Sequence, residues 1–234
     1  MNVTVVPDVH GRLFWKGVYD FAKDMPESYI VFLGDYVDPY PFEREAISSS
    51  EPERLIDNLK EIVQFARSND KVRLLLGNHD VHYLHNMGKW QCSRYQMDIA
   101  KSFRQTVEDN MDLFNKCVVM DNVLFSHAGV TSGWLQYNGF TGNVSDVNDI
   151  ASFVNLMDYD VLMQVGHIRG GEYQCGGPMW ADIYEHKNST LVIPQIVGHT
   201  QLIKDGQREV INNTIDCDSR CVHFFNIENG KIRP

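Results

Sequence analysis

Residues 29–38 read Tyr29-Ile30-Val31-Phe32-Leu33-Gly34-Asp35-Tyr36-Val37-Asp38, a short apolar run halted by Gly-Asp. A run of this length bounded by glycine is a buried strand that opens into a loop. The pattern recurs four times. Val3 to Val6 ends at Pro7-Asp8, Val72 to Leu76 at Gly77-Asn78, Val123 to Ser126 at His127, and Leu191 to Val197 at Gly198-His199. Between the first three strands lie Leu13 to Lys23 and Pro52 to Arg67, whose apolar residues (Leu55, Ile56, Leu59, Ile62, Val63, Ala66) return at helical steps. This alternation predicts βαβ units and a largely parallel sheet, with ligands collecting beyond the carboxyl ends of the strands. From about Glu209 to Ile232 the runs shorten and are broken by Asn212-Asn213 and Glu228-Asn229-Gly230, as antiparallel strands would be. Residues 39–51 and 131–172, rich in Gly, Ser, Asn, Tyr and Asp, read as long loops or a partly helical cap over the strand ends. No repeat or linker divides the chain, so one domain over 1–234 is expected, with 131–172 as the cap insertion.

Bulk properties narrow the function. Twenty-one Lys+Arg against 31 Asp+Glu give a formal charge of -10, which opposes binding nucleic acid or anionic lipid through phosphate neutralisation. No apolar run nears the roughly 20 residues of a membrane-spanning helix, and the opening residues carry no basic leader. Five cysteines without CxxC spacing suit free thiols in a reducing compartment, so a cytoplasmic location is expected.

The chemistry-bearing residues follow the strands: Asp8 and His10, Asp35 and Asp38, Asn78 and His79, His127, and His199. Five remote segments thereby bring oxygen and imidazole donors to one edge, as a preformed metal site requires. In extended backbone, Asp8 and His10 would share a face. Glycine before Asp35, Asn78 and His199 permits a tight turn or a close approach to an ion or substrate. Taken singly, each residue has an ordinary reading. Asp8 and Asp35 could cap helices, and His127 could be a core histidine. Capping does not account for the neighbouring histidines. His82 and His85 have helix-like spacing and read as surface or supporting residues. Met157, Met163 and Met179 read as packing residues, and Trp180 as a pocket wall or core residue.

Taken together, Asp8-Val9-His10-Gly11, Gly34-Asp35-Tyr36-Val37-Asp38, Gly77-Asn78-His79-Asp80, His127-Ala128-Gly129 and Gly198-His199 resemble the ordered blocks of the calcineurin-like metallophosphoesterase superfamily. Within it they are most similar to bacterial and phage relatives of the phosphoprotein phosphatases. The resemblance implies an α/β sandwich of two facing mixed sheets flanked by helices, in four αββα layers. It implies two divalent ions, manganese being the first expectation with iron or zinc as alternatives. Asp8 and His10 would bind one ion, Asp35 would bridge both, and Asn78, His127 and His199 would complete the second. His79 would protonate the leaving oxygen, with Asp38 orienting its imidazole. Arg169, in Arg169-Gly170-Gly171, and Arg12, beside the first block, would hold phosphate.

Two positions depart from the family pattern. Pro39-Tyr40 stand where these phosphatases usually carry Arg-Gly, so one expected phosphate-binding cation is missing and must be replaced from elsewhere. Gln201 stands where nucleases and many phosphodiesterases carry a second histidine, which favours the phosphatase branch. The expected activity is hydrolysis of phosphomonoesters, phosphoserine and phosphothreonine among them, on a phosphorylated protein or small phosphate ester. The alternatives are a diadenosine polyphosphate or other nucleotide phosphohydrolase and a non-catalytic metal-bound scaffold. Retention of His79 and Asp38 counts against the scaffold, which has no use for a proton donor.

Overall fold

The computed structural model of the chain describes residues 1–43, 45–85 and 92–233, so one position of the predicted 39–51 loop lies outside the described residues. Two mixed sheets form its centre. In the first, β1 (Asn2–Val6), β2 (Tyr29–Phe32), β3 (Val72–Leu75) and β4 (Phe114–Asn115) run parallel. On the other edge of β1 this sheet is extended antiparallel by β10 (His223–Glu228) and β11 (Lys231–Arg233). The second has the order β5 (Cys117–Met120), β6 (Val123–Ser126), β7 (Gln195–Val197), β9 (Thr214–Asp216), β8 (Glu209–Ile211). Its central pairs β6–β7 and β7–β9 are parallel and its outer pairs antiparallel.

Strand alternation decides what lies between the sheets. Val3 and Val5, Val31 and Leu33, and Leu75 from the first sheet meet Val123, Phe125 and Ile196 from the second in one buried cluster. The intervening residues Val6, Ile30, Phe32 and Leu74 face the other way and pack with helical residues. Their main cover is α2 (Pro52–Ser68), started by Pro52 in its first turn and amphipathic through Leu55, Leu59 and Ile62. The remaining helices are α1 (Val18–Asp24), α3 (Asn78–Leu84), α4 (Met97–Glu108), α5 (Ser132–Tyr137), α6 (Val147–Leu156) and α7 (Tyr159–Leu162). On the second sheet, Leu124 joins Trp134 of α5 and Ile150 and Val154 of α6. The result is the expected order of two facing sheets between helices. No described helix is long and apolar enough to cross a membrane.

Three readings change. The helix predicted over 13–23 is a 3-10 turn, Phe14–Gly17, followed by α1, with the poor helix former Gly17 at the join. Of the strand predicted over 191–197 only 195–197 joins a sheet. Leu191 and Ile193 are apolar because they pack in the core, and Pro194 has no N–H for a ladder. Residues 131–172, read as long loop or partial cap, carry α5, α6, α7 and a 3-10 turn at His167–Arg169.

Candidate dimetal site

Each strand that reads as ending in a chemical residue does so at the same place. Asp8 and His10 follow β1, Asp35 and Asp38 follow β2, Asn78 and His79 open α3 after β3, His127 follows β6 and His199 follows β7. Both sheets contribute, so the donors gather where the two sets of strand ends meet.

Proton positions follow from the partners. His10 Nδ1 lies 2.9 Å from the Val37 carbonyl. A carbonyl only accepts, so Nδ1 holds the proton and Nε2 offers a lone pair. That lone pair stands 3.9 Å from Asp8 Oδ2 and 3.6 Å from Asp35 Oδ2. His127 repeats the arrangement: Nδ1 donates to the Leu33 carbonyl at 2.8 Å. Its Nε2 faces Asn78 Oδ1 at 2.8 Å, His199 Nδ1 at 3.1 Å and Asp35 Oδ2 at 3.6 Å. Donor atoms of His10, Asp35 and His79 lie within 4.8 Å of one another, as do those of Asp35, His127 and His199, so Asp35 belongs to both groups. His199 Nε2 is buried without a partner among the described residues. Lone pairs aimed at shared points are stable when a cation sits between them, and this donor set fits divalent metal ions.

The electrostatics agree. Burial, and then the Asp8 and Asp80 carboxylates, push Asp35 well above the usual carboxylate range. Burial, followed by neighbouring cationic groups, holds His10 and His199 well below the ordinary imidazole value, and burial lowers His127. Neutral imidazole is the form that ligates a metal, and a cation would relieve the carboxylate crowding.

Backbone strain concentrates here. His10, Asp35, Asp38 and His199 have φ of 44°, 54°, 64° and 73°, in the left-handed region that non-glycine residues avoid. Asp8 and His10 therefore converge through a turn, not through the extended alternation expected from their spacing. Two glycines make room for carboxylates: a Cβ on Gly77 would run into the Asp35 side chain, and one on Gly198 into Asp8.

Beside the cluster, His79 Nδ1 lies 2.7 Å from Asp38 Oδ2. The other Asp38 oxygen accepts from Tyr83 Oη at 2.5 Å and Gln96 Nε2 at 3.4 Å. The His79 ring stands edge-on to that of His10, centroids 5.0 Å apart. Arg169 approaches the opposite half: Nη2 donates to Thr200 Oγ1 at 2.9 Å, Nε lies 2.8 Å from Asp182 Oδ2, and Nη2 is 3.5 Å from the His199 carbonyl. Trp180 stands edge-on to His199 at 5.3 Å, so it lines this half. Arg12 is almost wholly buried, with Nη1 on the Asp8 carbonyl at 3.0 Å and Nε on Glu43 at 2.8 Å. It braces the loop that carries Asp8.

Several supporting residues escape a reading of the sequence. Asp80 accepts from the backbone N–H of Asp35 (2.7 Å), Tyr36 (3.0 Å) and Gly77 (2.8 Å), tying the loops after β2 and β3 together. Its signal was present, an acidic residue three positions after the glycine that starts α3. Cys92 accepts from Asn78 Nδ2 at 3.3 Å, which turns Asn78 Oδ1 toward His127. His82 accepts from the Cys92 N–H at 3.1 Å, consistent with its reading as a supporting residue.

An αββα sandwich with oxygen and imidazole donors gathered at its strand ends has the architecture of a metal-dependent hydrolase. A sequence profile described as calcineurin-like phosphoesterase matches residues 1–201, and the chain belongs to that family. It is thus a phosphoesterase, and its family implies divalent metal ions. Among solved structures it is similar to the cold-active protein-tyrosine phosphatase of a psychrophilic Shewanella species, with 19% identity and a TM-score of 0.55 over 99% of this chain and 76% of that one. A serine/threonine phosphatase of Saccharomyces cerevisiae has 19% identity and a TM-score of 0.45 over 93% of this chain and 66% of that one. A candidate diadenosine tetraphosphatase has 17% identity and a TM-score of 0.44 over 99% of this chain and 91% of that one.

Proposed function

We propose that the chain hydrolyses phosphomonoesters, phosphoserine and phosphothreonine among them, with two divalent ions, manganese foremost. In this reading Asp8 and His10 hold one ion, Asp35 bridges, and Asn78, His127 and His199 hold the second. Residues 131–172, which carry Arg169, act as a cap within a single domain. Five unpaired thiols fit a reducing, cytoplasmic setting.

When bound, such a pair of ions acidifies water toward a pKa of roughly 7 and draws charge from the phosphate oxygens. The remaining work belongs to side chains. His79 binds Asp38 through Nδ1, which leaves Nε2 for the leaving group, on a ring that stands edge-on to His10. As a water oxygen bonds to phosphorus and gives up a proton to solvent, the P–O bond to the leaving group breaks, its electron pair stays on the leaving oxygen, and the proton on His79 Nε2 passes to it. The buried Asp38 carboxylate aligns the imidazole beforehand, held in turn by Tyr83 and Gln96. Arg169, fixed by Thr200 and Asp182, offers its guanidinium to phosphate beside His199.

The observation that carries this reading is the 2.7 Å His79–Asp38 contact set against the donor cluster. Turnover of para-nitrophenyl phosphate with added manganese tests it: activity should vanish on chelation and return on re-addition of metal. A folded, metal-loaded chain that is inert on monoesters, including peptides bearing phosphoserine, phosphothreonine or phosphotyrosine, would overturn it. Faster turnover of a bis-ester than of a monoester would redirect it to a phosphodiesterase.

A further inference from the structure

The chain lacks an arginine directly after Asp38, where Pro39-Tyr40 stand. A different arginine reaches the same place. Arg94, 56 residues further on, donates from Nε to the Asp38 carbonyl at 2.9 Å. Its guanidinium carbon lies 3.7 Å from the centroid of the Tyr40 ring. Tyr40 in turn stands edge-on to the His10 ring, centroids 5.1 Å apart. The cation is therefore one aromatic ring away from a candidate metal ligand and tethered to the backbone of the residue that orients His79.

We propose that Arg94, laid on Tyr40, is a substrate-phosphate-binding residue on the His10 and His79 half of the site, complementing Arg169 on the His199 half. The inference rests on the phosphoesterase reading above and deepens it. Three features support it. Guanidinium stacks on an aromatic face with little loss of its in-plane donors, so Tyr40 can hold Arg94 without consuming the N–H groups that bind phosphate. Arg94 is only half-buried, and its Nη1 and Nη2 have no hydrogen-bond partner among the described residues. The segment is anchored: Gln96 bonds the Asp38 carboxylate and the Tyr83 hydroxyl, so the same stretch that brings in Arg94 also encloses the dyad. Arg94 itself has φ 69°, an unfavourable backbone state held in place by these contacts. By contrast, Arg12 spends its guanidinium inside the protein on Asp8 and Glu43.

The test is binding of inorganic phosphate to the manganese-loaded full chain by calorimetry, alongside KM and kcat on para-nitrophenyl phosphate. Arg94→Ala should weaken phosphate binding and raise KM about tenfold or more, the scale of a lost charge-assisted contact, with metal content unchanged. Arg94→Lys should recover part of the loss, and millimolar guanidinium should restore Arg94→Ala but not the parent chain. Tyr40→Phe, which keeps the ring, should bind phosphate as the parent does, whereas Tyr40→Ala should weaken it. Phosphate affinity within twofold of the parent in a metal-loaded Arg94→Ala would overturn the proposal, as would a loss that guanidinium and Arg94→Lys both fail to restore. Because phosphate binding is read without turnover, a parent chain inert on monoesters yet binding phosphate through Arg94 would separate this inference from the proposed activity.

Discussion

Replacing His79 with Asn keeps a polar side chain at the position and removes the ionisable ring. Nδ1 is engaged by Asp38 at 2.7 Å and the ring stands edge-on to His10, so in the proposed role the variant deletes one proton transfer, from Nε2, and leaves the expected metal ligands in place. A positioned general acid contributes about 10²–10⁴-fold, or roughly 2.7–5.4 kcal/mol of barrier. The loss must scale with how badly the leaving oxygen needs a proton. For an alkyl phosphate such as phosphoserine it should lie near the upper end, and for para-nitrophenyl phosphate, whose phenolate departs readily, near the lower end. The assay is kcat on both esters, with metal content measured on the same preparations. Equal fractional losses on the two esters would refute the proton-donor role. So would loss of an ion from His79→Asn, since His79 also lies among the donor atoms around Asp35 and would then be a ligand.

Other outcomes follow from the same geometry. Gly77→Ala places a methyl against the Asp35 carboxylate. Overpacking of this kind costs about 1–3 kcal/mol, and metal affinity should fall with stability in thermal melts run with and without manganese. Chelation should lower the melting temperature of the parent chain, because ions bound only by the native state stabilise it by about 2.7 kcal/mol at a hundredfold excess over Kd. Melts that coincide with and without chelator would contradict tight native binding. Burial lowers His186 from 6.5 to about 4, and His223 likewise, with the Arg208 charge adding to the effect on His223. Between these values the unfolded chain binds more protons. Stability of the metal-free protein is therefore full above pH 6.5 and declines as pH falls toward 4, by roughly 3 kcal/mol for His186 alone. His186→Gln should flatten that decline, and an unchanged slope would remove His186 from the account.

Much of this architecture is written in local patterns. Strands such as Val3–Val6 and Val123–Ser126 are short apolar runs stopped by Asp, Gly or His, and their ends are where the donors fall. The ligand candidates are legible because chemistry and chain position coincide. What the sequence hides is tertiary. Met97–Glu108 forms α4, whose apolar face of Ile99, Phe103 and Val107 is sparse and gains meaning against α2 and α3. Leu191 and Ile193 look like strand residues because burial selects apolar side chains whatever the backbone does. Tyr83, Cys92 and Gln96 support Asp38 and Asn78 from segments that only folding brings near, and no spacing rule connects them. The turn at His10 illustrates the same limit. Two residues of separation suggested a strand face, but the chain turns left-handed to aim the imidazole at Asp35.

The most direct test is the metal stoichiometry of purified, manganese-reconstituted protein, compared between the parent chain and Asp35→Asn by elemental analysis after exhaustive dialysis. Asp35 Oδ2 lies 3.6 Å from both His10 Nε2 and His127 Nε2, so the account predicts two ions per parent chain and one or none in the variant, with activity falling in step. A fully active parent chain with no bound ion, or an Asp35→Asn variant that keeps both, would contradict it.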